Sequence, residues 1–449
     1  MRQTLVDCNK RGKNTTFSWP AHFYCKISNC SAQPVRYSIN MLTLPEAETS
    51  LWRDSSPSEL YPALSADITV DAVIIGGGIT GLTAAYLLKS SGMKVAVLEK
   101  RTIGAGTSGR TTGKITSQHN LSYEKLQRNH GPRAAKIYGQ ANQAAVELVA
   151  NIIKREKINC DWRREDNYVY TRDASQRAAF REEAQIAESF GLPAKFVTET
   201  PLPFKVVAAV KFENQATFNA QKYLSALARS INGSGSYIFE NSRVTRIHDG
   251  QKPYVKASGH TVHTGCIIVA TNVPTLPLAA RGCYCLLEYP TESYIVAGEL
   301  PKKFNGMYIS TDSREYSILP VRHNDAWFLL VGGEGHLPVF RTNRSEHFQR
   351  LADYAEQRFG VKTITHRWSD RDYQAYDEIP LVGKLYSWSQ NLYVATAFKK
   401  WGLSNGTVAA QLLRDQIMGT ENEWSWVFQS RLAPMASIPS VAWKYIARR

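Results

Sequence analysis

The stretch from Val70 to Glu99 constrains this chain more than any other part of its sequence. It reads as an apolar strand, a glycine-rich turn, a helix and a second apolar strand that ends in an acid. Gly76, Gly78 and Gly81 stand in the turn with the spacing G-x-G-x-x-G. The first glycine permits a sharp turn, the second lets a pyrophosphate approach the backbone, and the third lets helix and strand pack closely. Because the helix N-terminus suits phosphates and the acid suits ribose hydroxyls, the unit predicts a dinucleotide-binding α/β domain.

Length and composition limit the classes of protein that this chain can form. It has 449 residues, 43% of them hydrophobic, and single cores stop growing at about 250–300 residues, which favours two domains. No apolar run approaches the roughly 20 residues that span a bilayer, so we expect a soluble protein without a membrane span. The net charge of +15 is scattered rather than blocked, which disfavours nucleic-acid binding.

The seven cysteines show no spacing typical of a metal site or of a disulfide framework. None of them forms a C-x-x-C pair, and Cys283 and Cys285 are expected on a strand. We therefore expect no metal, and a reducing compartment such as the cytoplasm.

Residues 1–40 differ from the rest of the chain. They lack sustained periodicity, and they are basic, rich in hydroxyl groups and poor in acids. Three interpretations stay open: a disordered tail, a start site placed too early, or an organelle transit peptide.

Two further segments have the composition of ligand-contacting structure. Residues 100–114, directly after Glu99, hold four glycines and four threonines, which suit backbone contact with a ligand better than regular structure. Residues 266–272 form an apolar run that ends in small polar residues, as a central parallel strand does where it meets a ligand. We expect both segments beside the glycine turn.

The remaining pattern alternates helices and strands. A polar arm is expected over 46–66, antiparallel strands over 284–332, and a loosely packed tail from residue 420. Apolar spacing and helix-stop signals predict helices at 123–157, 174–190, 220–231, 346–359 and 407–418.

With these segments placed, the chain resembles the D-amino-acid-oxidase-like family of FAD-dependent oxidoreductases, which includes glycine, sarcosine and γ-glutamylputrescine oxidases. The resemblance covers residues 67–419 and rests on the glycine turn with Glu99, on 107–113, on 269–272, on Gly383 and on 401–404. It is strongest for bacterial members with a T-T-x-K-I-T loop and a G-G-E-G-H strand end, here 111–116 and 332–336. Some of these carry a C-terminal Rieske domain. No C-x-H…C-x-x-H pattern follows the last helix here, so we expect no iron–sulfur cluster.

The resemblance implies an α/β fold with two interleaved parts. A Rossmann-like FAD-binding domain with a central parallel sheet is joined to a mostly antiparallel α+β substrate domain. The expected segments are an extension at 1–40, an arm at 41–66, FAD-binding segments at 67–155, 206–283 and 363–419, substrate-domain segments at 156–205 and 284–362, and a tail at 420–449.

The resemblance also implies which residues bind FAD. Family members with a covalent flavin attach it through Cys or His. No His lies in the loop 104–114 and no Cys stands beside Trp401, so we expect non-covalent FAD. The residues expected to bind it are Gly76, Gly78, Ile79, Thr80, Gly81, Glu99, Lys100, Thr107, Ser108, Arg110, Thr111, Thr112, Gly113, Val244, Ala270, Thr271, Gly383, Trp401, Gly402, Leu403 and Ser404.

A single dinucleotide fingerprint indicates that the electrons come from an organic substrate rather than from a nicotinamide. The simplest reaction is hydride transfer from a C–H next to an amine nitrogen to flavin N5, which gives an imine that water hydrolyses. On a strand over 313–322, Arg314, Tyr316 and Arg322 share a face, and an arginine there could pair with a substrate carboxylate. We favour Arg322 for this role, with Tyr316 on the same face, because Arg322 follows a strand–Pro segment that resembles the carboxylate-binding arginine region of glycine oxidase. Lys114 is expected as a cation near the flavin that favours electron transfer to oxygen.

The leading hypothesis is an FAD-dependent amine or amino-acid oxidase or dehydrogenase. Its partners would be a small-molecule amine or amino acid and an acceptor, either oxygen or an electron carrier; the oligomeric state stays open. Two alternatives remain: an NAD(P)H-dependent flavin monooxygenase, and a non-catalytic flavoprotein that acts as an assembly factor.

Overall fold

A computed structural model describes residues 42–56, 59–273, 284, 286–338 and 342–429. The predictions for residues 1–40 and for a strand at Cys283 and Cys285 lie outside the described residues.

Numbered in chain order, the helices are α1 Leu51–Asp54, α2 Ile79–Ser90, α3 Tyr123–His130, α4 Pro132–Arg155, α5 Arg177–Ser189, α6 Ala220–Ile231, α7 Arg344–Phe359, α8 Gly402–Met418 and α9 Ser425–Phe428. Within the described residues, no helix is both long enough and apolar enough to cross a membrane.

A six-stranded sheet forms the centre of the predicted FAD-binding part. Its strands, in spatial order, are β18 Leu381–Lys384, β19 Leu392–Thr396, β12 Cys266–Val269, β2 Ala72–Ile75, β3 Val95–Leu98 and β8 Tyr237–Phe239. All pairs are parallel except β18 with β19. Every residue of β2, β3 and β12 is buried, because both faces of a parallel sheet are covered. The carboxyl ends of these three strands therefore meet at one edge of the sheet.

A second, nine-stranded sheet faces that edge. Its strands, in spatial order, are β17 Ile364–Ala375, β13 Glu288–Glu299, β16 Ala326–His336, β15 Tyr316–His323, β14 Met307–Ser310, β5 Arg163–Thr171, β7 Ala208–Thr217 and β4 Lys114–Ile115, with β6 Ala194–Val197 paired to β7. All of its pairs are antiparallel except β14 with β5. Alternate residues of β13 enter two different cores, Tyr294 and Val296 on one face and Ile295 and Ala297 on the other, as period-2 geometry requires.

A smaller four-stranded sheet covers the other face of the parallel sheet. Its strands, in spatial order, are β1 Ile68–Thr69, β11 His260–His263, β10 Tyr254–Ala257 and β9 Val244–His248. Val255 and Val262 from this sheet share a core with Val73 and Ile267 from the parallel sheet.

The pairing of strands moves two of the expected segment boundaries. β7 lies within 206–283 and β17 begins 363–419, two segments predicted for the FAD-binding part, yet both strands belong to the nine-stranded sheet. The described residues all belong to one compact unit. Sheet membership depends on long-range pairing, so at these two strands it differs from the segments that the resemblance implied.

The arm and the described start of the tail, up to residue 429, bury large side chains. In the arm, α1 buries Leu51 and Trp52 completely or nearly so. After residue 420, α9 buries Val427 and Phe428, and the Phe428 ring stacks on Tyr138 with centroids 5.8 Å apart. One turn of helix is too short to show a periodic pattern, so only its few large side chains indicate in the sequence that the segment is buried.

Candidate active site

A cavity of about 1050 Å³ lies between the carboxyl edge of the parallel sheet and the nine-stranded sheet. Its walls include the ends of β2, β3 and β12 on one side and residues of β13, β15, β16 and β17 on the other. A crevice at the carboxyl ends of parallel strands is where open α/β sheets bind their ligands.

The glycine turn forms one end of this cavity. Gly76 has φ +116°, and a Cβ there would lie 2.5 Å from the Ala270 carbonyl oxygen. Gly78 is the residue that precedes α2, and its nearest neighbour would be the Ser108 hydroxyl at 3.0 Å. A Cβ on Gly81 would overlap the Gly76 carbonyl. These contacts match the three roles predicted for the glycines: turning, backbone access and close packing.

Glu99 closes the turn from the neighbouring strand. Its Oε2 accepts a hydrogen bond from the Gly77 N–H at 2.8 Å, and its Oε1 accepts one from the Arg101 N–H at 2.9 Å. The carboxylate therefore stays at the cavity wall, where ribose hydroxyls can reach its remaining lone pairs.

The loop after Glu99 is held by hydrogen bonds from three directions. The Ile79 N–H at the start of α2 donates to Ser108 Oγ at 3.0 Å. Trp52 Nε1 of the arm donates to the Thr111 carbonyl at 2.7 Å, and Trp368 Nε1 of β17 donates to the Arg110 carbonyl at 2.8 Å. Two buried indoles thus fix a loop that is too rich in glycine to hold its own shape.

Trp52→Phe should loosen this loop. The substitution keeps the ring but removes the indole N–H, and it leaves the Thr111 carbonyl without that donor. Such a loss typically lowers the free energy of unfolding by about 1–2 kcal/mol. Urea denaturation measures it, with Trp388→Phe as the control because Trp388 is 76% exposed. Equal stability of the two variants would contradict a bracing role for Trp52.

The N-terminus of α8 points at the cavity. The helix begins at Gly402, five residues before the predicted start at residue 407, because Asn405 Nδ2 donates to the Phe398 carbonyl at 3.2 Å and orders the first turn. Trp401 precedes the helix, lines the cavity and stacks on His119 with centroids 4.7 Å apart. The early start places N–H groups and the positive end of the helix dipole at the cavity wall.

His119 is a neutral, fully engaged imidazole. Its Nε2 lies 2.9 Å from the Thr116 carbonyl oxygen, which only accepts, so Nε2 carries the proton. Its Nδ1 then accepts from the Tyr138 hydroxyl at 2.6 Å. Burial lowers the pKa of His119 to about 3. These contacts hold the imidazole ring in place and leave neither nitrogen for a ligand.

Most of the predicted site residues meet in this cavity. Those that line it are Gly76, Gly78, Ile79, Thr80, Glu99, Lys100, Thr107, Ser108, Arg110, Thr111, Thr112, Lys114, Val244, Ala270, Thr271, Tyr316, Trp401, Gly402 and Leu403.

Four residues predicted to bind FAD stand behind the wall. Gly81 packs helix on strand, and Ser404 Oγ hydrogen-bonds His119 Nε2 at 2.9 Å. Gly113 has φ +89°, and a Cβ there would lie 2.8 Å from the Phe218 carbonyl oxygen. Gly383 lies in β18, where a Cβ would face the Gln416 side chain at 3.5 Å. These four residues do not line the cavity themselves.

Lys114 is buried at the cavity wall without an acid beside it. Its Nζ donates to the Tyr308 carbonyl and to Ser317 Oγ, each at 2.7 Å. Among the described residues, no carboxylate forms a salt bridge with it, and burial holds the pKa of Lys114 well below its usual value. The environment therefore favours the neutral amine, not the cation expected from the sequence.

Arg322, the arginine favoured for a substrate carboxylate, does not reach the cavity. It lies near the far end of β15, where its side chain is 62% exposed and its Nη2 bonds Asp325 at 2.8 Å. Arg314 lies at the other end, just before β15, and lines the cavity with Tyr316. The two arginines are eight residues apart, roughly 26 Å if the chain between them is extended, and of the two only Arg314 lines the cavity.

A stacked aromatic group in the cavity was not predicted. Tyr294 of β13 stacks on His347 of α7 at 4.6 Å, and its hydroxyl lies 3.0 Å from His336 Nε2. Glu334, with φ +55°, lies 3.0 Å from His347 Nδ1 and accepts from Arg350. No periodic pattern indicates this cluster, because its members come from two strands and a helix, and Tyr294 is 40 residues before Glu334 in the sequence.

The chemistry of the wall fits FAD. The turn around Gly78 offers bare backbone and a helix N-terminus where a pyrophosphate belongs, and a side chain there would fill the space. Glu99 offers a carboxylate to ribose, and the start of α8 favours negative charge at the other end of the cavity. The residues present therefore match the cofactor that the sequence implied.

Comparisons with known proteins agree with this geometry. Residues 71–416 match the family described as FAD dependent oxidoreductase (DAO). The Bacillus subtilis protein YhfW, whose name describes a Rieske 2Fe-2S iron–sulfur protein, is 32% identical over 385 residues, which cover 85% of this chain and 75% of that protein. The gamma-glutamylputrescine oxidoreductase of Escherichia coli is 24% identical over 389 residues, 83% of this chain and 89% of that protein.

Solved structures show the same fold. The L-proline dehydrogenase of P. horikoshii superimposes with a TM-score of 0.70 at 20% identity, covering 84% of this chain and 99% of that one. The glycine oxidase of Geobacillus kaustophilus superimposes with a TM-score of 0.67 at 19% identity, covering 82% and 98%. The predicted family, the α/β fold and FAD as cofactor are confirmed. The chain belongs to the DAO family of FAD-dependent oxidoreductases.

Proposed function

We propose that this enzyme oxidises a small amine or amino acid at the carbon next to its nitrogen. FAD, when bound, supplies the two-electron acceptor. The observation that carries the proposal is that Lys114 and Arg314 line the same cavity as the glycine turn. The names of the relatives support the substrate class, since they refer to gamma-glutamylputrescine, L-proline and glycine.

Lys114 is proposed to take the proton of the substrate ammonium. An amine at neutral pH is protonated, and its nitrogen must lose that proton before the neighbouring C–H becomes a good electron donor. Lys114 Nζ uses two N–H bonds on Tyr308 and Ser317, and as a neutral amine it keeps a lone pair for the cavity. Burial lowers the pKa of Lys114, which favours the neutral amine that can accept a proton.

Arg314 is proposed to bind a carboxylate on the substrate. Among the described residues it forms no salt bridge, and it stands beside Tyr316 at the cavity wall. A guanidinium can hold a carboxylate through two parallel N–H···O bonds, which orients the carbon next to the nitrogen. Arg314, just before β15, is thus proposed for the role that the sequence suggested for Arg322, near the end of that strand.

FAD is proposed to bind without a covalent link. No cysteine lines the described cavity, and the three histidines that line it, His119, His336 and His347, each hydrogen-bond within the protein. Acid precipitation tests this: all of the yellow colour should leave with the supernatant. Colour retained in the protein pellet would contradict the proposal.

Anaerobic bleaching of the flavin absorbance tests the function. A panel of primary amines, secondary amines and amino acids is mixed with the holoenzyme, and at least one class should reduce the flavin while NADH and NADPH do not. Rapid bleaching by NADPH would instead support a flavin monooxygenase. A bound flavin that no amine reduces would support a scaffold role.

Arg314→Lys should raise KM selectively. Lysine keeps the charge but loses the planar two-point fork. Arg314→Ala removes a charge-assisted pair worth about 1.5–3 kcal/mol, so binding of carboxylated substrates should weaken by roughly ten- to a hundredfold. Steady-state kinetics on paired substrates with and without the carboxylate measures the effect, and Arg322→Ala is the matched control. Equal losses for both members of a pair would assign Arg314 to the fold.

A further inference from the structure

Asp370 presents an unused acceptor in the cofactor cavity. It lies on β17 of the nine-stranded sheet and forms part of the cavity wall. Its Oδ2 is buried and has no hydrogen-bond partner among the described residues. Burial raises the pKa of its carboxyl to about 6. A buried acceptor without a donor is costly, so such an atom marks a place where a ligand is expected to donate.

The neighbours of Asp370 on the same strand face are already engaged. Asp372 accepts from the Lys400 N–H, and Gln374 Nε2 donates to Thr291 Oγ1 at 3.0 Å. Alternate residues of a strand share a face, so these side chains form one polar row along the cavity. Asp370 is the member of this row with an open acceptor.

Asp370 stands where the second sheet meets the phosphate turn. The Thr107 hydroxyl donates to the carbonyl of Arg371, the residue after Asp370 on β17, at 3.4 Å, and it accepts from Asn272 Nδ2, just after β12, at 3.2 Å. The residue after Thr107 is Ser108, whose hydroxyl accepts from Ile79 at the start of α2. The open acceptor therefore belongs to the same small cluster as the helix N-terminus.

The chemistry of FAD supplies a donor at this position. Its pyrophosphate is flanked by two hydroxyl-bearing segments, the adenosine ribose and the ribityl chain. Glu99, on the parallel sheet, suits the ribose, and Asp370 is the corresponding carboxylate on the opposite sheet. We propose that Asp370 accepts a hydrogen bond from a ribityl hydroxyl of bound FAD, so that the substrate-side sheet helps to hold the cofactor. The proposal rests on the use of FAD and not on the identity of the substrate.

Titration of FAD into deflavinated protein tests this role. Quenching of flavin fluorescence gives the Kd for the parent protein, Asp370→Asn and Asp370→Ala. We expect Asp370→Ala to bind FAD about ten- to a hundredfold more weakly, because a charged acceptor is lost. Asp370→Asn should fall between, since its amide oxygen still accepts without the charge. Asp325→Ala, at a turn where the carboxylate is 92% exposed, is the control and should leave the Kd unchanged.

The stability of the deflavinated variants separates a ligand contact from a structural one. Removing the buried charge should leave the melting temperature of deflavinated Asp370→Asn unchanged or higher, while FAD raises it less than in the parent. A Kd within about twofold of the parent for both variants would overturn the proposal. A lower melting temperature of the deflavinated variants, accompanying the weaker FAD binding, would also overturn the proposal. Neither measurement needs substrate turnover, so both results could still be interpreted if the enzyme did not oxidise amines.

Discussion

Gly78→Val is expected to give a folded protein that has lost most of its FAD. Gly78 has φ −92°, a conformation that valine adopts without strain, and the nearest atom to its Cβ would be the flexible Ser108 hydroxyl. The fold can therefore accept the branched side chain. The cofactor cannot, because the side chain enters the space that the pyrophosphate needs beside the start of α2. Overpacking of about 1–3 kcal/mol corresponds to roughly five- to 150-fold weaker binding, and a rigid turn should reach the upper end.

Flavin content per mole of purified protein measures this effect, with circular dichroism as the check on folding. Gly78→Ala should retain part of the flavin, because its Cβ makes one tight contact with a side chain that can turn away. Gly81→Val should instead prevent folding, since its Cβ would overlap the Gly76 backbone. Full flavin content in Gly78→Val would show that the pyrophosphate does not lie on this turn.

Lys114→Met should lower kcat/KM by about 10²–10⁴, the usual contribution of a general base. The substitution keeps the length and removes the nitrogen that is proposed to take the substrate proton. In the parent enzyme, kcat/KM should rise as the pH rises through the lowered pKa of Lys114, because only the neutral amine accepts a proton. Lys114→Met should lose that rise in the pH profile. Lys211→Met, at a surface lysine paired with Asp166, is the control.

Lys114→Arg separates a base from a fixed cation. An arginine stays protonated, so it cannot accept the substrate proton but does supply a positive charge near the cofactor. If Lys114 acts as the base, the arginine variant should be as slow as the methionine variant at every pH. Near-normal activity in Lys114→Arg would restore the interpretation of Lys114 as a cation that promotes electron transfer to oxygen.

The stability of these variants has a predicted sign as well. The pKa of Lys114 is lower in the folded chain than in the unfolded one, so between the two values the unfolded state binds more protons. The free energy of unfolding therefore rises with pH from the folded pKa up to about 10.4, the value for free lysine. Lys114→Met removes that slope, and thermal melts at several pH values would show its loss.

The amino-acid sequence by itself determined the parts of this protein that depend on short-range geometry. The G-x-G-x-x-G turn requires glycines at fixed spacing. The chain turns at Gly76, the backbone is open to a ligand at Gly78, and helix packs closely on strand at Gly81. Fully apolar strands at 72–75 and 266–269 indicated the centre of a parallel sheet for the same local reason. These features carried the fold, the family and the cofactor.

Tertiary structure decided what depends on where a strand ends and what surrounds it. Arg314 and Arg322 share a strand face in the sequence, but long-range pairing of β15 with β16 carries Arg322 to an exposed turn. Lys114 looks like an ordinary loop cation until burial between Tyr308 and Ser317 favours its neutral form. Asp370 resembles any acid on a strand until the packing of two sheets buries its oxygen without a donor. The charge state of a side chain and the site that it can contact depend on neighbours distant in the chain, so no local sequence pattern encodes them.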